Sequence, residues 1–176
     1  LGGWLPAGTL WAADGVRQAP EGFTALFNGT DFDGWHGRPH LDPRKWSEVV
    51  ASQRDAWNED LQAHWTAVDG VIVNDGHGVY LTTDREYGDI ELLIDYKTIP
   101  RADSGIYLRG TPQVQIWDST NEEQFKIGAD KGSGGLWNNS PGAAGKDPSV
   151  LADKPFGEWN SFRIVQIGAR TSVWLN

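Results

Sequence analysis

The sequence predicts an all-β fold, an antiparallel β-sandwich or jelly roll, and three observations support this class. Short stretches of alternating apolar and polar residues recur along the chain, which is the pattern of strands with one buried face. The chain contains 22 glycines and 9 prolines among its 176 residues, so it is rich in turn formers. These residues punctuate the stretches at short intervals, as in sandwiches and barrels. The predicted organisation is a leader, 1–20, followed by one jelly-roll domain, 21–176.

The domain is predicted to begin with a short strand and to continue into an insertion. Phe23 to Phe27 alternates like a strand. In the sequence DPRKWSEVVAS, Asp42 can cap one or two helical turns that start at Pro43. The polar sequence SQRDAWNEDLQ continues this segment, so a short helical or irregular insertion is predicted near 42–61.

The remaining strands are predicted after this insertion. The sequence HWTAVDGVIVND indicates two strands joined by a tight turn at Asp69-Gly70. Alternate residues from Ile90 to Tyr96 are expected to share one face. Further strands are predicted in GVYLTT, SGIYLRG, PQVQIWD, EWNSFRIVQI and RTSVWLN, with a long Gly- and Asn-rich connection before the last two.

The first residues are predicted to be the remnant of a secretory signal. The sequence LGGWLPAGTLWAADG has no charge before Asp14 and ends its apolar run on small residues. A poorly ordered leader or an added edge strand is the alternative, and the stretch is shorter than the roughly 20 residues of a membrane-spanning helix. A secreted or periplasmic location is therefore expected. The ending TSVWLN, within a predicted strand, suggests that the domain continues beyond Asn176.

Composition excludes several classes of function. The formal net charge is −9 and the 15 basic residues are scattered, which argues against nucleic acid and anionic membrane surfaces as partners. Without cysteine there are no disulfides, thiol catalysis or thiolate metal sites. The 4 histidines lack metal-binding spacing, and no P-loop, dinucleotide or nucleophile-elbow motif occurs. No cofactor is predicted, while a divalent metal and the oligomeric state remain open.

Two of the predicted strands, SGIYLRG and PQVQIWD, divide their residues between two faces. The apolar set consists of Ile106, Leu108, Val114 and Ile116. The opposite set is polar and aromatic, and it consists of Tyr107, Arg109, Gln113, Gln115 and Trp117. Amide and guanidinium groups suit vicinal hydroxyls, and aromatic rings stack on sugar rings, so this set predicts a carbohydrate ligand. The alternative is a solvated outer face.

Two carboxylates bracket this strand pair, Asp103 before it and Asp118 at its end. Both are ordinary turn or cap residues in one interpretation. In the other, either carboxylate serves as a general acid or base, and Arg109 stabilises developing negative charge. The spacing alone leaves both interpretations open.

In their order, these motifs resemble those of the 3-keto-disaccharide hydrolase domain family. The segments that carry the resemblance run from about residue 22 to the end, and they are FTALFNGTDFDGW, DGVIVNDGHGVYLTT, YGDIELLIDYK, SGIYLRG, PQVQIWDS, KGSGGLWNN and GEWNSFRIVQIGARTSVWLN. The resemblance implies a concanavalin A-like jelly roll in a secreted or periplasmic bacterial protein. It also implies activity on glycosides whose sugar ring has been oxidised to a ketone.

The resemblance further implies roles for individual residues. The face of Tyr107, Arg109, Gln113 and Gln115 would line the cleft, and the loop 131–139 would close over it. That loop would offer Lys131, Trp137 and Asn138 to a sugar. Cleavage would proceed by elimination and hydration, with Asp118 or Asp103 as base and Arg109 at the enolate. Many family members carry Glu at the position of Gln113.

Two rival functions stay open at this point. The first is a non-catalytic, lectin-like carbohydrate-binding module, which the missing Glu and the aromatic face favour. The second is a structural or interaction sandwich, which would have no affinity for sugars and would tolerate charge on the polar face.

Overall fold

A computed structural model describes residues 18–40 and 42–176, so most of the predicted leader lies outside the described residues. The described chain forms two compact units, one ending at Arg85 and one spanning Glu86–Asn176. All strand pairings in these units are antiparallel. The all-β prediction is therefore confirmed, whereas the boundaries of the leader and of a single domain remain predictions. No helix of the described residues is long and apolar enough to cross a membrane.

The first unit contains two small sheets and a helix. Its elements are β1 (Trp35–Arg38), a 3-10 helix (Pro43–Glu48), α1 (Ala51–His64), β2 (Trp65–Val68), β3 (Val71–Asn74) and β4 (Tyr80–Thr83). Strand β1 pairs with β4, and β2 pairs with β3. Asp69 and Gly70 have φ angles of 50° and 75°, the left-handed values that a type I′ hairpin turn requires. The predicted hairpin is thus confirmed.

The insertion contains more helix than the sequence pattern indicates. Asp42 accepts a hydrogen bond from the Arg44 amide and caps the 3-10 helix, as predicted. The polar stretch after it forms α1 rather than an irregular segment. Among its residues only Leu61 is buried, so the sequence lacks the apolar stripe by which an amphipathic helix is recognised. Its Ala, Gln, Arg, Glu and Leu residues are nonetheless good helix formers, and it contains neither Gly nor Pro.

The strand predicted over Phe23 to Phe27 is absent from the structure, and the first strand begins at Trp35. Among residues 18–40 and 42–176, no strand pairs with residues 23–27, and alternation without a partner does not form a strand. The segment is instead held from the side, because the Trp35 indole donates to the Leu26 carbonyl over 2.8 Å.

The second unit is a two-layer sandwich. Its strands are β5 (Ile90–Tyr96), β6 (Asp103–Tyr107), β7 (Gln113–Trp117), β8 (Asn160–Ile167) and β9 (Arg170–Leu175). Strands β5, β8 and β9 form one sheet in that order, and β6 pairs with β7 in the other. One core cluster draws on both sheets, and its buried members are Tyr96, Leu108, Val114, Ile116, Leu136, Phe162 and Ile164. Burying each large apolar side chain contributes about 1.5–3 kcal/mol.

The long connection between β7 and β8 supplies a further edge to the smaller sheet. Gly134 and Trp137 donate their amides to the carbonyls of Gln115 and Gln113, over 2.8 and 2.9 Å. Gln115 in turn donates to Gly135 over 2.9 Å. This backbone pairing brings residues 134–137 alongside β7 and gives a loop without strand-like sequence a fixed position next to the polar face.

Candidate functional site

The register of β6 and β7 brings the polar side chains to one face of the smaller sheet. Asp103 lies opposite Trp117, Gly105 opposite Gln115, and Tyr107 opposite Gln113. Between these pairs, Ile106 and Val114 turn to the core. The face therefore carries one exposed carboxylate, a phenol, two amides and an indole.

The carboxylate of Asp103 is held by amides from two different elements. Gln115 of β7 donates from Nε2 to Oδ1 over 2.9 Å, and Gln124 donates to Oδ2 over 3.2 Å. Gln124 lies in a 3-10 helix, Glu122–Ile127, of the long connection. Since an ionised carboxylate only accepts hydrogen bonds, both amides turn their N–H groups towards Asp103. Each oxygen keeps a second lone pair, so the carboxylate is oriented without being fully occupied.

The same two glutamines carry carbonyl oxygens without a hydrogen-bond partner. Gln115 Oε1 and Gln124 Oε1 are buried, and no described residue donates to either. A buried acceptor without a donor costs about 1–3 kcal/mol. Their nitrogens are fixed by Asp103, so the amides cannot turn to relieve this cost. A hydroxyl group or water beside Asp103 would supply these two oxygens with the hydrogen-bond donor that they lack.

Asp118 is also a hydrogen-bonded carboxylate, but its partners are its own turn and the backbone of the segment before β6. Its side chain is 4% exposed and accepts from the Arg101 amide over 2.8 Å and from Thr120 N and Oγ1 over 2.7 and 2.6 Å. Burial raises the pKa of Asp118, but the hydrogen bonds from Thr120 and Arg101 together outweigh it and hold the pKa below its ordinary value. Of the two predicted roles, these contacts favour the turn cap.

Arg109 does not share the face of Tyr107, contrary to the alternation expected from the sequence. Strand β6 ends at Tyr107, and Arg109 lies in the following turn with a φ of 52°. Its Nε donates to Gln166 Oε1 over 2.7 Å, and its Nη2 donates to the Gly168 carbonyl. Gln166 is a buried residue of β8 in the facing sheet. The period of two ends with the strand, which is why the prediction fails at this residue.

Two tryptophans lie side by side on the face. Trp117 is 5% exposed and donates from its indole to the Gly132 carbonyl over 2.9 Å. Its ring meets that of Trp137 edge-on, with centroids 5.3 Å apart. Trp137 is half-buried, and Lys146 Nζ sits 4.1 Å above its ring centroid. Trp137 is thus the more accessible of the two indoles, with one of its faces covered by Lys146.

The other predicted loop residues have structural partners. Asn138 Oδ1 accepts from the Gln113 backbone amide over 2.7 Å and so ties the loop to β7. Lys131 Nζ pairs with Asp147 over 2.6 Å, and this carboxylate raises the pKa of Lys131. Both atoms of the pair lie on exposed side chains, where an ion pair contributes little.

The side chain of Gln113 lies directly over Gly105 on the neighbouring strand. A Cβ atom at Gly105 would overlap Nε2, Cγ and Cδ of Gln113. The glycine therefore provides the space that Gln113 occupies.

Sequence reasoning missed Gln124 and Lys146. Both come from the long connection, and no motif or spacing relates either to the strands. Long Gly-rich loops often carry functional residues, which singles out this connection but no particular residue within it. Among the described residues, no group of three or more His, Asp or Glu side chains is arranged to hold a metal ion.

Comparison with known proteins gives a matching family and a curated relative. The sequence profile of a family described as "3-keto-alpha-glucoside-1,2-lyase-like domain" matches residues 22–176. A curated protein of Bacteroides thetaiotaomicron, named 3-keto-disaccharide hydrolase, is 26% identical over 170 residues. The match covers 82% of this chain and 52% of that protein, so the chain spans about half the length of this relative.

Proposed function

The chain belongs to the family of 3-keto-alpha-glucoside-1,2-lyase-like domains, and from this membership we propose that it is a carbohydrate-active domain that cleaves 3-keto-glycosides, including 3-keto-disaccharides. The observation that carries the proposal is the exposed Asp103 carboxylate, oriented by Gln115 and Gln124 beside a pair of tryptophans. The name of the relative, 3-keto-disaccharide hydrolase, supports the same substrate class. The apolar leader supports a secreted or periplasmic location, which fractionation of the producing cell would test.

The ketone makes the chemistry feasible for a domain with few charged groups on its face. A carbonyl at the third ring carbon acidifies the hydrogen on the second. A base takes that proton, and the C–H electron pair becomes an enolate. The enolate then forms a double bond between the first and second carbons and expels the glycosidic oxygen, which leaves as an alcohol after protonation. Adding one water across the double bond completes the hydrolysis.

We assign the base to Asp103 rather than to Asp118. Asp103 is exposed and keeps free lone pairs, whereas Asp118 is buried and accepts from three donors, two of Thr120 in its own turn and the Arg101 amide. The two amides on Asp103 fix the direction of its carboxylate, as a positioned base requires. Tyr107 and Gln113, across the ladder from one another, are the groups assigned to the sugar hydroxyls.

The proposal is tested by incubating the protein with 3-keto-trehalose and with 3-keto-sucrose and measuring the released monosaccharides. The wild-type protein is expected to release them, and Asp103→Asn to lose about 100-fold or more in rate because general-base catalysis contributes that much. Asp130→Asn, at an exposed carboxylate outside the face, is the matched control. Undiminished release by Asp103→Asn would remove the assigned base, and no release from either substrate would contradict the activity.

A non-catalytic carbohydrate-binding module is the second candidate. It is favoured by the neutral Gln113 at a position where a carboxylate is common in the family, and by Arg109 being engaged with Gln166. Calorimetry with trehalose and 3-keto-trehalose separates the two candidates. Binding of both sugars without any released product would support the module.

A further inference from the structure

The proposed elimination needs a positive group at the ketone, because negative charge collects on the ketone oxygen as the enolate forms. Arg109 was expected to supply it, but its guanidinium is directed to Gln166 and Gly168. The other cations around the long connection are largely neutralised. Lys131 is paired with Asp147, and Arg101 with Glu123 over 2.7 Å.

Lys146 differs from these cations in its surroundings. Among residues 18–40 and 42–176, no carboxylate oxygen forms an ion pair with its Nζ. The ammonium instead lies 4.1 Å above the ring centroid of Trp137 and donates to the Trp137 carbonyl over 2.5 Å. An ammonium has three N–H donors, so two remain for a ligand. The half-buried indole holds the charge in place and shields it partly from water.

The position of Trp137 directs Lys146 to the same face as Asp103. Residues 134–137 run alongside β7, and the side chain of Leu136 is in the core. Leu136 forms the bridge to Val114, and Trp137 begins the turn that follows it. Its ring contacts Trp117, which lies opposite Asp103 in the ladder. Asp103 therefore lies across the ladder from one tryptophan of the pair, and the Lys146 ammonium lies over the ring of the other.

We propose that Lys146 receives the ketone oxygen of the substrate and stabilises the enolate, an inference that rests on the proposed function. Asp103 takes the proton from the second ring carbon, and the charge that appears on the ketone oxygen is met by the Lys146 ammonium. Lys146 keeps its proton throughout, and the electron pair returns to expel the glycosidic oxygen. A site divided in this way prefers keto-sugars to the parent sugars, because only the ketone gives Lys146 an acceptor that builds up charge.

The test compares the binding of a ketone and of its parent sugar, which separates this role from packing against Trp137. In an Asp103→Asn background that prevents turnover, calorimetry measures the affinity for 3-keto-trehalose and for trehalose. Lys146→Gln is expected to weaken 3-keto-trehalose binding about tenfold or more and to leave trehalose binding unchanged. Lys146→Arg is expected to restore part of the preference. Lys126→Gln, an exposed lysine in the 3-10 helix of the same connection, is the control.

Turnover gives the second readout. With Asp103 intact, Lys146→Gln is expected to lose about 100-fold or more in kcat, the usual cost of removing a group that stabilises an oxyanion. Lys146→Gln cleaving 3-keto-trehalose as fast as wild type would overturn the inference while leaving the activity in place. Equal losses for both sugars would also overturn it, since they would indicate a packing role. A wild-type protein that does not cleave but shows a Lys146-dependent preference for the ketone would contradict the proposed activity and support Lys146 as the ketone-binding residue.

Discussion

The Nε2 atom of Gln115 lies 2.9 Å from Oδ1 of Asp103, so the exposed carboxylate of the polar face is held from within its own strand pair. Gln115 is 4% exposed, so its side chain has little freedom to move. Its amide therefore fixes the orientation of the Asp103 carboxylate. The second amide on this carboxylate, that of Gln124, comes from a short surface helix and is the more easily altered of the two.

Replacing Gln124 with Leu should reduce turnover without unfolding the domain. The substitution removes the donor to Asp103 Oδ2 and leaves the carboxylate with one amide, so its orientation relaxes. We expect kcat to fall about tenfold, in line with the loss of one hydrogen bond to a charged group, while the melting temperature changes little. Steady-state kinetics on 3-keto-trehalose and a thermal melt measure the two effects. Glu122→Gln in the same helix is the control, and unchanged kinetics in Gln124→Leu would contradict the positioning role.

Replacing Asp118 with Asn should cost stability. Its two carboxylate oxygens accept from the Arg101 amide and from Thr120. An Asn side chain has only one oxygen, so its NH2 group would face one of these donors and leave it without an acceptor. The expected loss is about 1–3 kcal/mol, the cost of leaving a buried donor unpaired. Urea denaturation at neutral pH measures it. A variant as stable as wild type would contradict the turn-cap role.

The contribution of Asp118 should also depend on pH in a defined direction. Its folded-state pKa lies below the ordinary value of 3.8, so the folded protein binds this proton less readily than the unfolded chain does. The contribution is therefore complete well above 3.8 and is lost as the pH falls through the folded-state pKa. Denaturation between neutral pH and pH of about 3 should show the stability gap between wild type and Asp118→Asn narrowing with acid. A gap that stays constant would contradict the depressed pKa.

Replacing Gly105 with Ala should displace Gln113. The new methyl group would occupy the space of the Gln113 side chain, whose far end can swing away. We expect sugar affinity measured by calorimetry to fall severalfold, with a stability change of about 1 kcal/mol or less, because only a flexible side chain has to move. Gly105→Ala combined with Gln113→Ala should show no further loss beyond Gln113→Ala alone. Additive losses would show that Gly105 acts independently of Gln113.

Replacing Gly37 with Ala should destabilise the first unit. A Cβ atom there would overlap the backbone carbonyl of Trp57 in α1 and crowd the Val79 side chain. A helix carbonyl cannot swing aside as a side chain does, so the expected cost is about 1–3 kcal/mol or more. Gly88→Ala, with no atom within 4 Å of the added methyl, is the matched control. Thermal melts that give the same midpoint for both variants would contradict the close packing of β1 on α1.

The sequence predicts the strands of the second unit well because their apolar and polar residues alternate. The alternation in β6, β7 and β8 separates core from face, and Val114, Ile116 and Ile164 are buried as their positions require. The divided faces of the polar strand pair follow from this period. It fails at Arg109 because the turn begins one residue after Tyr107, and a turn has no period of two.

The insertion near 42–61 was predicted as short helical or irregular, and its helical content was underestimated for a different reason. A helix is recognised in a sequence by its apolar stripe, and α1 buries only Leu61, so the polar residues that form it resemble a loop. The region of Phe23 to Phe27 shows the opposite case, since it has the alternation of a strand but pairs with no strand of the described part of the chain.

The sequence by itself determined the all-β class, the hairpin at Asp69-Gly70 and the polar face with Gln113 and Gln115, because each depends on the period of a strand or the φ angle of a turn. The tertiary structure alone decided which side chains of the long connection contact the residues of that face. Gln124 reaches Asp103 from 21 residues away, and Lys146 reaches the Trp137 ring from a Gly- and Pro-rich loop. Hydrogen bonds and cation–π contacts act through space, so no spacing along the chain encodes them.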